Sequence, residues 1–179
     1  MAAISNGIAQ HGSSLIPFAA TLLVFSDYMK NAMRLSALSR HAGVVYVMTH
    51  HSIGLGEDWP THQPVEHLCE LRAIPQMLVF RPVDGNETAG AYRVGYKEQR
   101  STKRDCIVET KVAANFEGTS SGVEAGGYIV SDNLGDGGLP EIILIETRSE
   151  LCLCEASEEE LRNEGRGGEG GFACVLEVI

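Results

Sequence analysis

The sequence has 179 residues, of which 44% are hydrophobic, and carries a formal net charge of −10 at pH 7. The acidic balance argues against binding to nucleic acid, whose phosphates repel an acidic surface. No apolar run approaches the roughly 20 residues that a membrane-spanning helix needs. The 5 cysteines are an odd number without the spacing of a disulfide framework, so we expect reduced thiols in an intracellular protein.

Strand-like and helix-like segments alternate over the first 110 residues. Short, β-branched apolar runs indicate the strands, and apolar residues at helical spacing indicate the helices. The alternation predicts an α/β fold with a parallel sheet flanked by helices. In chain order the predicted elements are helix 1–10, strand 15–21, helix 25–38, strand 44–48, helix 63–73, strand 77–80, helix 87–98 and strand 106–108.

Three of these helices carry signals for their ends or their buried faces. Helix 1–10 is expected to pack through Ile4 and Ile8, which lie one turn apart. Ser26 is a candidate N-cap for the second helix. The spacing of Asp84 and Glu87 is that of a capping box. The apolar face expected for helix 25–38 carries Tyr28, Ala32, Leu35 and Leu38.

The remainder of the chain predicts a second, smaller domain. Residues 111–127 hold four glycines without helical or strand periodicity, which is typical of a linker. The glycine-rich run 165–171 follows a predicted helix rather than a strand, so a flexible loop is favoured over a phosphate-binding loop. We therefore predict domains at 1–110 and 128–179 joined by that linker. The elements predicted here are strands 127–130 and 141–145, helix 149–163 and strand 172–178.

Four of the six histidines lie between His50 and His67, directly after the predicted strand 44–48. Two glycines and two prolines exclude a regular element from this stretch, so it is expected to form a loop at the carboxyl end of a parallel strand. From the residues alone, three interpretations stay open: a structural loop, a metal site and an organic catalytic site. The spacing of five between His62 and His67 does not place two metal ligands on one helix face.

Three long phrases of the sequence carry a specific resemblance. The phrases are Met33-Arg34-Leu35-Ser36-Ala37-Leu38-Ser39, the run from Thr49 through Gly54-Leu55-Gly56-Glu57-Asp58 to Thr61-His62-Gln63-Pro64, and Arg81-Pro82 with Asp84-Gly85-Asn86-Glu87. They resemble the pyrimidine-binding region of transketolases, with plant members the most similar. The resemblance implies thiamine-diphosphate-dependent transfer of a two-carbon ketol unit between sugar phosphates, as in the pentose phosphate pathway and Calvin cycle. It also implies magnesium as the metal that accompanies the cofactor, and an active site formed between two subunits.

The resemblance also implies roles for individual residues. Phe25 and Tyr28 match positions that hold the aminopyrimidine ring, and Leu22 stands at a third position of that pocket. His50 matches a contact to the substrate phosphate. Asp58 and His62 match contacts to the donor sugar, with His62 as the catalytic residue. An imidazole can share a proton with a sugar hydroxyl near neutral pH.

Several positions depart from the family pattern. Leu22 stands where an aromatic residue is usual, and Trp59 replaces a glycine whose conformational freedom the loop is expected to need. Glu109 reverses the charge of a phosphate-binding arginine, and His51 stands where an aspartate is usual. The cofactor-activating glutamate of the pattern falls three positions before Met1, and the diphosphate-binding domain has no counterpart. We therefore expect the chain alone to be inactive and to bind the cofactor poorly.

Three hypotheses follow. The first is a transketolase-family fragment whose family substrates are sugar phosphates. The second is a non-catalytic interaction module that forms a homodimer or pairs with an intact transketolase, without nucleic-acid or membrane partners. The third is a metal-dependent hydrolase built on His50, His51, Asp58 and His62. No signal or transit peptide is visible in this chain, and cytoplasm and plastid both stay open as compartments.

Overall fold

A computed structural model describes residues 1–12, 14–40, 43–51, 59–101, 105–109, 122–132, 134, 139–147, 150–165 and 171–177. The chain divides into two compact units, which are described separately. The first consists of Met1–Phe80 and Ala91–Lys111, and the second of Arg81–Gly90 and Val112–Ile179. Among the described residues, no helix is long and apolar enough to cross a membrane.

The first unit is built on a four-stranded parallel sheet. Its strand order is β1-β2-β4-β3. The strands are β1 (Phe18–Leu22), β2 (Val45–Thr49), β3 (Met77–Phe80) and β4 (Asp105–Glu109). The helices of this unit are α1 (Ala2–Gln10), α2 (Lys30–Ser39) and α3 (His67–Arg72), with 3₁₀ helices at Leu23–Tyr28 and Pro60–His62. The predicted parallel α/β fold class is confirmed.

The core of the first unit lies on one face of this sheet. Ala19, Tyr46, Ile107 and Val79 are in register across the four strands, and all four are buried. Because neighbouring residues of a strand point to opposite faces, residues such as Phe18 lie on the other face, and Phe18 is 72% exposed. The sheet is therefore well covered on one face and open at its β1 side on the other.

The helix α4 (Gly85–Ser101) begins in the second unit and ends in the first. Asp84 caps its start by accepting a hydrogen bond from the Glu87 backbone N–H at 2.8 Å. The Glu87 carboxylate accepts the Val83 N–H at 2.7 Å, so the predicted capping box is present with its return bond one residue earlier. The helix begins at Gly85 rather than at residue 87.

The second unit contains a mixed three-stranded sheet of order β5-β7-β6. The strands are β5 (Gly127–Asp132), β6 (Ile142–Glu146) and β7 (Phe172–Glu177). β7 runs antiparallel to β5 and parallel to β6, and helix α5 (Leu151–Asn163) packs on β6 and β7. A 3₁₀ helix, Val123–Ala125, precedes β5, whereas most of the predicted linker and of the glycine-rich loop lies outside the described residues.

The predicted packing of α1 is wrong. Ile4 and Ile8 are exposed, and the helix buries Ala2 and Ser5 instead. The small side chains let α1 lie close to α2, where the Asn6 amide donates a hydrogen bond to the carbonyl of Ala32 at 2.8 Å. The interface between α1 and α2 is therefore formed by close approach of the two backbones and not by large apolar side chains.

The predicted helix 25–38 is two elements, because the chain passes from a 3₁₀ helix to α2 at Met29. A 3₁₀ helix has three residues per turn and an α-helix 3.6, so the buried face changes phase at this junction. Ser26 is buried within the 3₁₀ helix and caps nothing. Tyr28, Leu35 and Leu38 are exposed, and α2 buries Met33, Ser36 and Ala37.

Helix α3 is shorter than the predicted helix 63–73. Gln63 has an extended backbone, with φ −98° and ψ 102°, because a residue that precedes proline disfavours the helical conformation. The helix therefore starts only at His67. The 5 cysteines all carry free thiols, as predicted, and Cys106, Cys154 and Cys174 are buried.

Candidate active site

The carboxyl edge of the parallel sheet brings several predicted site residues together. β1 ends at Leu22 and continues directly into the 3₁₀ helix that carries Phe25 and Tyr28. The neighbouring strand β2 ends at Thr49, which pairs with Leu22 and precedes His50. The two adjacent strands thus deliver these residues to the same edge, where open α/β sheets place their ligands.

His62 is positioned by two contacts. Its ring meets the ring of Phe25 edge-on, with centroids 5.3 Å apart and an interplanar angle of 74°. Its Nδ1 lies 2.8 Å from the Thr61 hydroxyl oxygen. These contacts fix the ring, and Nε2 makes no hydrogen bond with the described residues, so that nitrogen can meet a bound substrate.

Phe25 and Tyr28 form an aromatic pair on one side of the 3₁₀ helix. Their ring centroids are 6.1 Å apart and the rings are inclined by 39°. Tyr28 is 88% exposed, whereas Phe25 and Leu22 are partly buried. The pair offers an open apolar surface that a flat heteroaromatic ring can stack on.

His50 has a left-handed backbone, with φ +57°, which is uncommon for a residue other than glycine. Its Nδ1 lies 2.8 Å from the Thr49 hydroxyl oxygen. The imidazole is exposed at the end of β2. Its position, directly after the strand, is compatible with an anionic ligand at the sheet edge.

The loop after His51 is described only in part. Asp58 lies in the range 52–58, outside the described residues, so its predicted contact with the donor sugar stays a prediction. Trp59 is 79% exposed and has φ −64° and ψ 157°, a conformation that any residue adopts. The expectation that this position needs glycine's conformational freedom is therefore wrong.

Comparison with known proteins assigns the family. A family model described as "Transketolase, pyrimidine binding domain" matches residues 1–115. The chain belongs to this family. It is 55% identical over 167 residues to the chloroplastic transketolase of Solanum tuberosum, covering 93% of this chain and 22% of that relative. The transketolase of a Nostoc strain is 54% identical over 168 residues, covering 93% and 24%.

Solved transketolases share the fold. The Pichia stipitis transketolase in complex with sedoheptulose-7-phosphate is 36% identical with a TM-score of 0.84, covering 99% of this chain and 25% of that chain. The Campylobacter jejuni transketolase is 34% identical with a TM-score of 0.83, covering 99% and 26%. The chain thus spans about a quarter of the length of these transketolases, and the predicted resemblance is confirmed.

One polar cluster of this transketolase-family chain was not predicted. Among the described residues, Asp27, Glu66 and His67 form the group of three that could hold a metal ion. The group contains none of the residues of the hydrolase hypothesis, which therefore gains no support from the described residues. No spacing signal could have revealed it, because Asp27 and His67 are 40 positions apart and meet only in the folded chain.

Proposed function

We propose that this chain forms the pyrimidine-binding and sugar-facing part of a thiamine-diphosphate-dependent ketol transferase. The observation that carries the proposal is the contact between Phe25 and His62 at the carboxyl edge of the sheet, in a chain of the transketolase pyrimidine-binding family. One aromatic surface for the cofactor ring and one imidazole for the sugar are thereby joined at a single place.

The described residues fit one end of the cofactor. Phe25 and Tyr28, with Leu22 beside them, would hold the aminopyrimidine ring by stacking and apolar contact. The magnesium and diphosphate end does not fit the described residues, because Mg²⁺ prefers a set of oxygen ligands and their one candidate metal group includes an imidazole. When bound, the cofactor supplies the carbon nucleophile that accepts the two-carbon unit.

His62 and His50 are assigned different tasks in this proposal. His62, held by Thr61 and Phe25, would exchange a proton with a donor-sugar hydroxyl through Nε2. His50 would bind the substrate phosphate, and Asp58 would accept a hydrogen bond from a sugar hydroxyl. Sugar phosphates are proposed as the ligands because a related solved transketolase is a complex with sedoheptulose-7-phosphate.

Ring binding tests this proposal without requiring turnover. Thiamine diphosphate with magnesium is titrated into the 179-residue chain while the NMR signals of the Phe25 and His62 rings are followed. Both signals are expected to shift in the wild type and in the control Tyr96→Leu, an aromatic substitution outside the site, whereas the His62 signal is not expected to shift in Phe25→Leu. Equal shifts of the His62 signal in all three proteins, or no shift in the wild type, would contradict the proposal.

The proposal expects no ketol transfer by the 179-residue chain alone, because these residues span about a quarter of the length of related solved transketolases. The assay supplies a ketose phosphate, an aldose phosphate, thiamine diphosphate and magnesium. Turnover by the purified chain would refute this expectation.

Residues 128–179 are proposed to be the start of a transketolase C-terminal-like domain, since the fold likeness covers 99% of the chain.

A second candidate function is self-association through the open sheet face, with an intact transketolase as the alternative partner. An apolar groove of about 400 Å³ on the first unit supports it. Its lining residues are Ile16, Phe18, Ala20, Val45, Val47 and Tyr92. Light scattering on a size-exclusion column is expected to show a dimer that Phe18→Ser weakens and the exposed Leu153→Ser on α5 does not. A monomer at all concentrations would exclude self-association.

The plastid is the proposed compartment. The relatives in Solanum tuberosum and Arabidopsis thaliana are chloroplastic transketolases. Fractionation of cells followed by detection of the chain with an antibody is expected to place it with plastid markers, and recovery only with cytosolic markers would contradict this.

A further inference from the structure

A buried histidine lies between two carboxylates on the first unit, outside the proposed sugar-facing site. His67 is 3% exposed, and its Nε2 is 3.1 Å from an Asp27 carboxylate oxygen. Its Nδ1 is 3.8 Å from a Glu66 carboxylate oxygen. Neither ring nitrogen makes a hydrogen bond of good geometry with any described residue. Buried polar groups are normally satisfied, so this imidazole calls for a further ligand.

We propose that Asp27, Glu66 and His67 bind a divalent transition metal of the zinc or manganese class. One ligand atom from each lies within 4.8 Å of the other two. Ligands at about 2.0–2.2 Å from a tetrahedral zinc ion are about 3.3 Å from one another. The Asp27 carboxylate oxygen and His67 Nε2, 3.1 Å apart, already have about this separation, and the Glu66 carboxylate, within 4.8 Å of the other ligand atoms, needs to approach by up to about 1.5 Å. Its side chain is 62% exposed and is free to do so.

The donor set selects among metals. An imidazole nitrogen with two carboxylates suits zinc, manganese and iron, whereas magnesium and calcium prefer oxygen ligands alone. His67 binds through one neutral ring nitrogen, and a water molecule completes the coordination. This site is independent of the proposed cofactor function, because no thiamine diphosphate takes part in it.

Lys30 controls the charge of the site. Its ammonium donates a hydrogen bond to the other Asp27 carboxylate oxygen at 2.8 Å and forms an ion pair with Glu70. The ammonium holds the carboxylate in place and also repels a cation, and its removal is expected to strengthen metal binding.

The metal would join two elements of the first unit. Asp27 belongs to the 3₁₀ helix Leu23–Tyr28, and Glu66 and His67 stand at the start of α3. A ligand that binds only the folded chain raises the free energy of unfolding by RT ln(1 + L/Kd), where L is the free ligand concentration, and this term grows with the logarithm of that concentration once the site is nearly saturated. Metal binding is therefore expected to stabilise the 3₁₀ helix that carries the aromatic pair.

Metal titration of the chelator-stripped 179-residue chain tests the proposal. Calorimetry is expected to show one equivalent of Zn²⁺ or Mn²⁺ bound, no comparable binding of Mg²⁺, and a rise in Tm with Zn²⁺. Asp27→Asn and Glu66→Gln are each expected to weaken binding by about tenfold or more. Lys30→Met is expected to tighten it, and the control Glu159→Gln, at an exposed acid on α5, to leave it unchanged.

The spectrum of bound Co²⁺ supplies a second readout. A tetrahedral site with nitrogen and oxygen ligands gives visible absorption bands that His67→Gln should abolish. That variant removes a buried side chain, so Asp27→Asn and Glu66→Gln, which alter exposed carboxylates, decide the question if it fails to fold. Absence of binding, or zinc binding that both carboxylate variants and Lys30→Met leave unchanged, would overturn the proposal.

Discussion

Glu146 is the residue from which the clearest pH dependence is expected. It ends β6 in the second unit, where it is 8% exposed, and neither carboxylate oxygen has a hydrogen-bond partner among the described residues. Burial, followed by the charge of Glu150, raises its pKa from 4.5 to about 8. Arg81 acts in the opposite direction, and Glu87 and Glu155 add smaller repulsions. Between about pH 4.5 and pH 8, the Glu146 carboxyl therefore keeps its proton in the folded chain but has lost it in the unfolded chain.

The sign and size of the effect follow from the two pKa values. Because the folded pKa is raised, the stability from this group is fully present below pH 4.5 and is lost as the pH rises through 8. Each unit of pKa difference corresponds to about 1.4 kcal/mol, so about 3 kcal/mol is lost by pH 7. Glu146→Gln keeps the shape and cannot ionise. The variant and the wild type are therefore expected to be similarly stable near pH 4.5 and to differ by about 3 kcal/mol at pH 7.

The assay must report on the second unit by itself. The single tryptophan, Trp59, belongs to the first unit, so hydrogen exchange of the β6 and β7 amides is the suitable measurement. Exchange is followed from pH 5 to pH 8 after correction for the intrinsic rates. Glu159→Gln, at an exposed position on α5, is the control for loss of an acidic charge. Opening free energies of Glu146→Gln and wild type that run parallel over this range would refute the reasoning.

Three further predictions concern packing and hydrogen bonds, and denaturant unfolding measures the first and third. Met33→Ala is expected to lower the free energy of unfolding by about 2–5 kcal/mol and Leu35→Ala by about 0.5 kcal/mol or less, because of the two residues only Met33 is buried. Equal losses would contradict the assignment of Met33 to the buried face of α2. Tyr128→Phe removes the hydroxyl that donates a hydrogen bond to the Glu87 carboxylate and is expected to lower the stability of the second unit by about 1–3 kcal/mol. Hydrogen exchange of the β5 amides measures this loss, and unchanged exchange would contradict the prediction. Gly95→Ala places a Cβ 2.8 Å from the sulfur of buried Cys106 and is expected to lower the free energy of unfolding by about 1–3 kcal/mol. An unchanged free energy of unfolding would mean that α4 can shift to make room.

The sequence predicted the strands of the parallel sheet well, for a physical reason. A short apolar run such as 77–80 is bounded on both sides by polar or proline-containing segments, so pattern and element coincide. The helix faces were predicted less well. Whether the residues after Phe25 form a 3₁₀ helix or an α-helix depends on packing against the rest of the unit. The local sequence does not reveal which of the two helices forms.

The candidate site divides in the same way. The positions of Phe25, His50 and His62 were accessible from motifs, because they follow strand ends or lie in specific phrases. The edge-on contact of Phe25 with His62 was not, since it joins residues 37 positions apart. The pairing of Asp27 with His67 was likewise inaccessible, because each residue taken alone resembles an ordinary polar surface position.

The 3₁₀ helix Leu23–Tyr28 explains how these features share one short segment. With three residues per turn, positions three apart lie above one another, so the segment and its flanking residues sort into three stripes. The buried stripe is Leu23, Ser26 and Met29; the aromatic stripe is Leu22, Phe25 and Tyr28; the charged stripe contains Asp27 and Lys30. In an α-helix each successive member of such a triplet would be rotated by about 60°, so the first and last members would lie about 120° apart and each stripe would run obliquely around the helix. The 3₁₀ geometry thus keeps the proposed cofactor surface and the proposed metal ligand Asp27 on different sides of the segment, while the same buried stripe anchors both.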